Sequence, residues 1–274
     1  MTTQQPPAMR LETGPRSRSR ISRSVQRTCI WVGPVMGALF VAGFFVAGFF
    51  PPPSPDMSPA EIAAMIDENR AGIRFGIVIC LASCTLIMPF LASITIQMLR
   101  IEGPRPILAY IQLALGALTT VEFVIPYVFM LVSTYREDQD PQVTGALFDI
   151  GWFFFLGVIS TFILQIVVFG VAILTDVRPD PVFPRWLGYV NLWLALLFAP
   201  ASTIVFFKAG PLSWNGLFVW WVPVLAFLVW FVPNFVMLLR AVDADDEIPF
   251  AADPALATEV AALRAEVDRL TARP

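Results

Sequence analysis

The chain has 274 residues, of which 57% are hydrophobic and 14% charged, with a formal net charge of −3 and no histidine. Because a water-soluble domain carries about a quarter charged residues, this composition excludes an ordinary soluble fold, and it also excludes collagen-like, disulfide-rich and disordered classes. The absence of histidine excludes haem and zinc sites with histidine ligands, and it excludes Ser–His proteases. The composition therefore predicts an all-α, polytopic membrane protein without a metal or other cofactor.

The first segment, residues 1–28, is a polar tail with six arginines and three prolines. A segment with so little apolar surface has nothing to bury, so we expect disorder. The tail lacks interleaved aromatic residues and directly precedes an apolar run. Contact with anionic membrane lipids therefore explains its charge better than binding of a nucleic acid does.

Six apolar runs follow, and each is long enough to cross the roughly 30 Å of a bilayer core with about 20 residues. Runs of this length predict transmembrane helices rather than barrel strands. The transmembrane domain is predicted to extend over residues 29–242. The runs cover residues 29–50, 73–99, 107–132, 147–175, 186–207 and 216–239.

Basic residues predict the orientation of these spans. With the amino terminus in the cytoplasm, 14 arginines fall on the inner side, whereas Arg70, Arg74, Arg136 and Lys208 fall outside. The positive-inside rule then places both termini in the cytoplasm. The excess of arginine over the single lysine is typical of a GC-rich bacterial genome, so we expect a multi-pass protein of the bacterial cytoplasmic (inner) membrane.

Two local patterns stand in and after the first span. Gly33 and Gly37 form a G-x-x-x-G face that favours close helix packing. The sequence SPAE at residues 58–61 is a capping box with proline at the first helical position, which predicts an external amphipathic helix over about 58–71. A simple extension of the second span explains the latter pattern equally well.

The stretch PPPSPDMSPAEIAAMIDENRAGIRFG, residues 51–76, stands in front of five of the six spans. With that layout it resembles one type of uncharacterised six-span bacterial membrane protein. The resemblance implies the membrane architecture and carries over no activity, cofactor or site residue.

Glu122 is the main candidate for a functional residue. It lies near the middle of the third span with no other charged residue within ten positions on either side. An ionised carboxylate at this depth costs several kcal/mol, so we expect a neutral, hydrogen-bonded or cavity-facing group. Thr119 lies one turn earlier, and we expect Glu122 to face the bundle interior near at least one of Gln165, Asn191 and Asn234. Two interpretations stay open: a proton- or ligand-binding carboxyl, or a neutral acid that ties two helices together.

Other features of the spans bear on cavities and chemistry. Ser160 and Thr161 add hydroxyls to the fourth span, and we expect Cys80 and Cys84 to act as small apolar packing residues rather than as a metal site. Prolines predict kinks, and kinked helices open gaps that water or ligands use. The prolines are Pro89, Pro126, Pro200, Pro223 and Pro233.

The carboxyl-terminal region changes character after residue 242. Residues 243–254 form an acidic linker, and residues 255–272 carry apolar residues at a 4-3-4-3 spacing. This spacing predicts a cytoplasmic amphipathic helix or short coiled coil. We expect this helix to bind a second copy of the chain or another membrane protein. The alternative is that it docks on the chain's own loops. The seam residues are Leu256, Val260, Leu263, Val267 and Leu270.

Three functional hypotheses follow from these residues. The favoured one is a non-catalytic membrane protein that binds a lipid or other apolar ligand, or that serves as a subunit of a larger assembly. The alternative is a proton- or cation-coupled transporter or channel that uses Glu122. A membrane enzyme working without a metal is the third, because none of the common catalytic or nucleotide-binding motifs is present.

Overall fold

The computed structural model describes residues 20–244, and over this range the chain is helical with no strand. Six helical segments are long and apolar enough to cross a membrane, which confirms the predicted all-α, six-span fold. The side on which each terminus lies stays a prediction. Most of the acidic linker and the predicted seam helix over 255–272 lie outside the described residues. The spans are Arg23–Ala47, Arg70–Glu102, Ile107–Tyr135, Pro141–Thr175, Arg185–Phe206 and Leu217–Ala244.

The first helix, α1 (Arg20–Ala47), begins before the apolar run does. The predicted disordered tail over 1–28 is therefore wrong for residues 20–28. The reason is a long-range contact, since Arg27 donates to the Asp243 carboxylate at 2.7 Å and Arg23 to the Asp243 carbonyl oxygen at 2.6 Å. These arginines bind near the carboxyl end of the last span, where helix carbonyl groups attract cations.

Helix α2 (Pro59–Glu68) begins where the capping box predicts. The Ser58 amide donates to the Glu61 carboxylate at 2.7 Å, and the Glu61 amide donates to the Ser58 hydroxyl at 3.3 Å. The helix buries Ile62 and Ile66, and Asn69 separates it from the next helix. It is therefore an element of its own and not an extension of the second span.

The second span is broken by a proline, whereas the third is not. Helices α3 (Arg70–Cys84) and α4 (Ile87–Glu102) meet at a turn over Thr85 and Leu86. Pro89 has no amide hydrogen to donate to the Thr85 carbonyl, and its ring would collide with that group, so the helix opens there. Helix α5 (Ile107–Tyr135) runs through Pro126 without a break.

The fourth to sixth spans each contain an irregular segment. The fourth consists of α6 (Pro141–Trp152), a π-turn over Phe153–Gly157 and α7 (Ser160–Thr175). The fifth is α8 (Arg185–Phe198) followed by a 3₁₀ helix over Ala199–Phe206, and the sixth is a π-turn over Leu217–Trp221 followed by α9 (Val222–Ala244). The 3₁₀ helix packs against both π-turns.

Glycines set the spacing of the first span against its neighbours. A Cβ added to Gly33 would lie 2.9 Å from Phe90, whereas one added to Gly37 would meet no atom within 4 Å. The predicted packing face is therefore wrong at Gly37. The span approaches α3 six residues after Gly37, where a Cβ on Gly43 would lie 2.6 Å from the carbonyl oxygen of Gly76.

The apolar interior divides into two clusters along the bundle. One lies toward the Arg20 end of α1 and includes Ile30, Met98 and Leu238. The other lies toward α2 and includes Ile66 and Trp152. The middle of the third span lies between the two clusters, and this is where the candidate site is found.

Candidate functional site

Glu122 is half-buried on α5 and faces the beginning of α7. The Thr161 hydroxyl donates a hydrogen bond to the Glu122 carboxyl group. The Thr119 hydroxyl lies 3.4 Å from the Thr161 hydroxyl and 3.5 Å from the side-chain oxygen of Gln165. Four polar side chains from two neighbouring spans thus form one chain of contacts at membrane depth.

The broken fourth span supplies the second part of the site. Val158 and Ile159 interrupt the helix directly before α7 begins at Ser160. A helix start leaves backbone amides without intrahelical partners, and a helix end leaves carbonyls, so a break presents both kinds of group. The amino terminus of α7 also carries a partial positive charge, which favours a negative charge on a neighbouring carboxylate.

A small pocket joins Glu122 to this break. Its free volume of about 10 Å³ is enough for about one water molecule. Glu122 and Thr119 are the polar side chains in a lining that is otherwise apolar or aromatic. The pocket therefore suits a proton, a water molecule or a small cation. Its lining residues are Thr119, Glu122, Phe123, Phe154, Phe155, Val158, Ile159 and Phe162.

Of the polar residues expected near Glu122, the structure brings Thr119 and Gln165 to it but not Asn191 or Asn234. The Asn191 side-chain oxygen accepts from the Trp230 indole at 2.9 Å, and the Asn234 amide donates to the Trp230 carbonyl at 2.5 Å. The Asn191 bond therefore joins α8 to α9, whereas the Asn234 bond lies within α9. Both side chains bind Trp230 rather than Glu122, so their assignment to a shared site with Glu122 is corrected.

The expected interior position of Glu122 holds only in part. The side chain faces another span, but it lies at the edge of the buried face of α5, whose centre is formed by Gly116, Thr120 and Tyr127. The crevice between α5 and the fourth span is thus where the carboxyl group is found. At this position Glu122 meets a partner helix on one side only.

The sequence marked Thr161 as a polar residue of the fourth span without pairing it with Glu122, and it did not predict the helix break. Thr161 stands beside Ser160 in the middle of an apolar run, and that polar pair is the signal that marks the position. No proline stands at the break to mark it in the sequence. The nearest residue that breaks helices is Gly157. The broken span becomes visible only once the neighbouring spans are in place.

The remaining candidate groups do not add a metal site. Within residues 20–244, no three or more cysteine, aspartate or glutamate side chains lie together in a way that would hold a metal ion. Cys80 and Cys84 are buried, and Cys84 lies 3.6 Å from the carbonyl oxygen of Phe123.

Compared with protein-family models, with curated proteins and with solved structures, the chain gives no match. The six apolar helices define a multi-pass membrane protein.

Proposed function

We propose that this protein is a proton- or cation-coupled transporter or channel in which Glu122 binds the transported ion. The observation that carries the proposal is the hydrogen bond between Glu122 and Thr161 at the break of the fourth span. Ionisable residues at membrane depth commonly mark ion pathways, and broken helices commonly form the binding sites of transporters.

The side chains of the site are suited to binding a proton or a small cation. A carboxyl group binds a proton directly, and with the hydroxyls of Thr119 and Thr161 it also offers the oxygen ligands that a small cation prefers. When the proton or cation leaves, the amino terminus of α7 stabilises the remaining negative charge. Glu122 can therefore alternate between a neutral and an ionised state without a second acidic residue.

A non-catalytic role is the second candidate, and the half-buried position of Glu122 favours one form of it. A carboxyl group at the edge of α5 suits a hydrogen bond to a helix of another membrane protein or of a second copy. The seam predicted over residues 255–272 supports association of this kind. Binding of a lipid within the bundle receives no such support, because the pocket beside Glu122 holds about one water molecule.

The distribution of basic residues supports a membrane and an orientation for this protein. We propose the cytoplasmic membrane of a bacterium, with both termini inside, because the inner segments carry 14 of the 18 basic residues. The site then lies about halfway between the two membrane surfaces.

The test compares Glu122→Gln and Glu122→Leu in purified protein reconstituted into liposomes. A proton, sodium or potassium gradient is imposed, and the internal pH is followed with a trapped dye while a potential-sensitive dye reports cation movement. Gln keeps the shape and can accept the Thr161 hydrogen bond, so the thermal stability stays at the wild-type value. Flux is lost, because an amide neither ionises nor takes up a proton as the carboxyl group does. Leu removes the acceptor, and flux and stability both fall.

Glu102→Gln is the matched control for this experiment. Glu102 accepts from the backbone amides of Leu108 and Ala109 at 2.8 and 2.7 Å, so it holds the start of α5 and lies outside the site. This variant lowers stability and leaves the flux per folded molecule unchanged. Wild-type flux in Glu122→Gln contradicts the transport proposal, and a loss of complex formation in Glu122→Leu then supports the non-catalytic role.

A further inference from the structure

An aromatic cluster adjoins the Glu122 pocket, with Phe155 at its centre. Six aromatic rings surround Phe155 with centroid distances between 5.6 and 6.4 Å. These rings come from the first, third, fourth and sixth spans. They belong to Phe40, Phe44, Phe123, Tyr127, Trp152 and Trp220.

Phe155 also lines the Glu122 pocket, so its ring, like that of Phe123, belongs to both the pocket and the cluster. It belongs to the π-turn over Phe153–Gly157, which ends at the break of the fourth span. Single π-turns occur frequently at functional sites. A backbone break directly after the turn leaves this segment without helical hydrogen bonds on one side, which favours movement of the ring.

Three buried polar atoms of the cluster have no hydrogen-bond partner among the residues that the structure describes. They are the hydroxyl of Tyr127 and the indole nitrogens of Trp152 and Trp220, and these side chains are at most 4% exposed. The neighbouring Trp214, in contrast, donates its indole hydrogen to the carbonyl oxygen of Pro53 at 2.7 Å. Buried donors are rarely left without partners, so three in one cluster point to water as the partner.

The cluster extends toward the surface that carries α2. Trp152 stacks on Trp214 at a centroid distance of 6.0 Å, and Trp214 binds Pro53 in the loop that precedes α2. A series of contacts therefore leads from the Glu122 pocket through Phe155 and Trp152 to this loop. The three side chains with unpaired polar atoms, Tyr127, Trp152 and Trp220, all contact the Phe155 ring.

We infer that Phe155 is a gate between the Glu122 pocket and a water-binding site formed by Tyr127, Trp152 and Trp220. When the ring leaves its position, the Glu122 pocket opens to the water bound by these three polar atoms, and this water connects Glu122 to the α2 side. The inference rests on the proposed function, because it assigns the route by which the ion reaches Glu122 from that side. No covalent step is involved.

A native cysteine reports on the opening of this gate. Cys84 is 4% exposed and contacts the carbonyl oxygen of Phe123, which is a wall of both the pocket and the cluster. In a Cys29→Ser, Cys80→Ser background, Cys84 is the sole thiol of the chain. A positively charged methanethiosulfonate reagent reacts with it only where water reaches, and intact-mass measurement gives the rate of modification.

Phe155→Ala raises this rate about tenfold, which corresponds to about 1.4 kcal/mol in the opening equilibrium. Phe154→Ala is the matched control, since Phe154 lies in the same π-turn and lines the same pocket but stacks on Phe129 at 6.0 Å, outside the cluster. This control leaves the rate at the wild-type value. Phe155→Leu retains an apolar side chain and gives a smaller rise, so the test stays usable if Phe155→Ala does not fold.

Two results overturn the gate. One is an unchanged rate in both Phe155 variants, and the other is an equal rise in Phe154→Ala, which shows general loosening of the packing. Modification of Cys84 does not depend on ion flux. A faster reaction in Phe155→Ala together with wild-type flux in Glu122→Gln therefore refutes the transport function and leaves the gate standing.

Discussion

The contact between Gly43 and Gly76 is expected to be the most sensitive point of the bundle. A Cβ added to Gly76 would collide with the Gly43 carbonyl oxygen and would lie 2.5 Å from the amide nitrogen of Ala47. Both are backbone atoms, so no side-chain rotation relieves the collision. Gly76→Ala therefore forces α1 and α3 apart.

The magnitude follows from a comparison with Gly37→Ala. Both substitutions replace a glycine within a helix and gain up to about 1 kcal/mol of helix propensity. At Gly37 the new methyl group meets no atom within 4 Å, so the gain is kept. At Gly76 overpacking costs about 3 kcal/mol, the upper end of the usual range, because two backbone groups are involved.

The difference between the two variants isolates the packing cost, since the propensity gain cancels. At about 2–4 °C per kcal/mol, a cost of about 3 kcal/mol lowers the Tm of Gly76→Ala by about 6–12 °C relative to Gly37→Ala. The assay is the apparent Tm of detergent-solubilised protein, measured at one scan rate for all variants because membrane proteins often unfold irreversibly. Equal Tm values in the two variants would refute the close approach of α1 and α3.

Two further predictions concern groups outside the spans. The hydrogen bonds from Arg178, at 2.7 and 2.9 Å, hold the pKa of Asp176 below its usual value of 3.8. The ionised carboxylate therefore stabilises the fold above about pH 4, and this stabilisation is lost as the pH falls through the lowered pKa. Asp176→Asn is expected to lower the free energy of unfolding by about 1.5–3 kcal/mol at pH 7, with the difference from wild type shrinking toward pH 3; a difference that does not change with pH contradicts this assignment. Reporter fusions at Asp140 and after Pro274 are expected on opposite sides of the membrane, and same-side results would overturn the six-span count.

Local signals predicted the individual elements well. The length and apolarity of the six runs were sufficient for the spans, because a bilayer admits few structures other than a long helix. The capping box at residues 58–61 located the start of α2, since its hydrogen bonds join residues only three positions apart. Pro89 likewise marked the break in the second span.

Contacts between spans were predicted less well. Periodicity shows which residues share a helix face, but not which neighbour that face meets or at what height. Gly37 matches the G-x-x-x-G pattern, but a Cβ added to it would meet no atom within 4 Å. Gly43 and Gly76 match no pattern with each other, yet they bring two backbones together. The start of α1 at Arg20 likewise depends on Asp243, more than 200 residues away.

By itself, the sequence determined the membrane class, the number of spans and the presence of one acidic residue at membrane depth, because composition and length are properties of each run separately. Only the tertiary structure decided that Glu122 meets Thr161 at a broken helix, that Asn191 and Asn234 each bind Trp230 instead, and that Phe155 belongs both to the Glu122 pocket and to an aromatic cluster. Those relations depend on the rotation and height of each helix against the others. Packing of all six spans together sets these quantities, and no single segment encodes them.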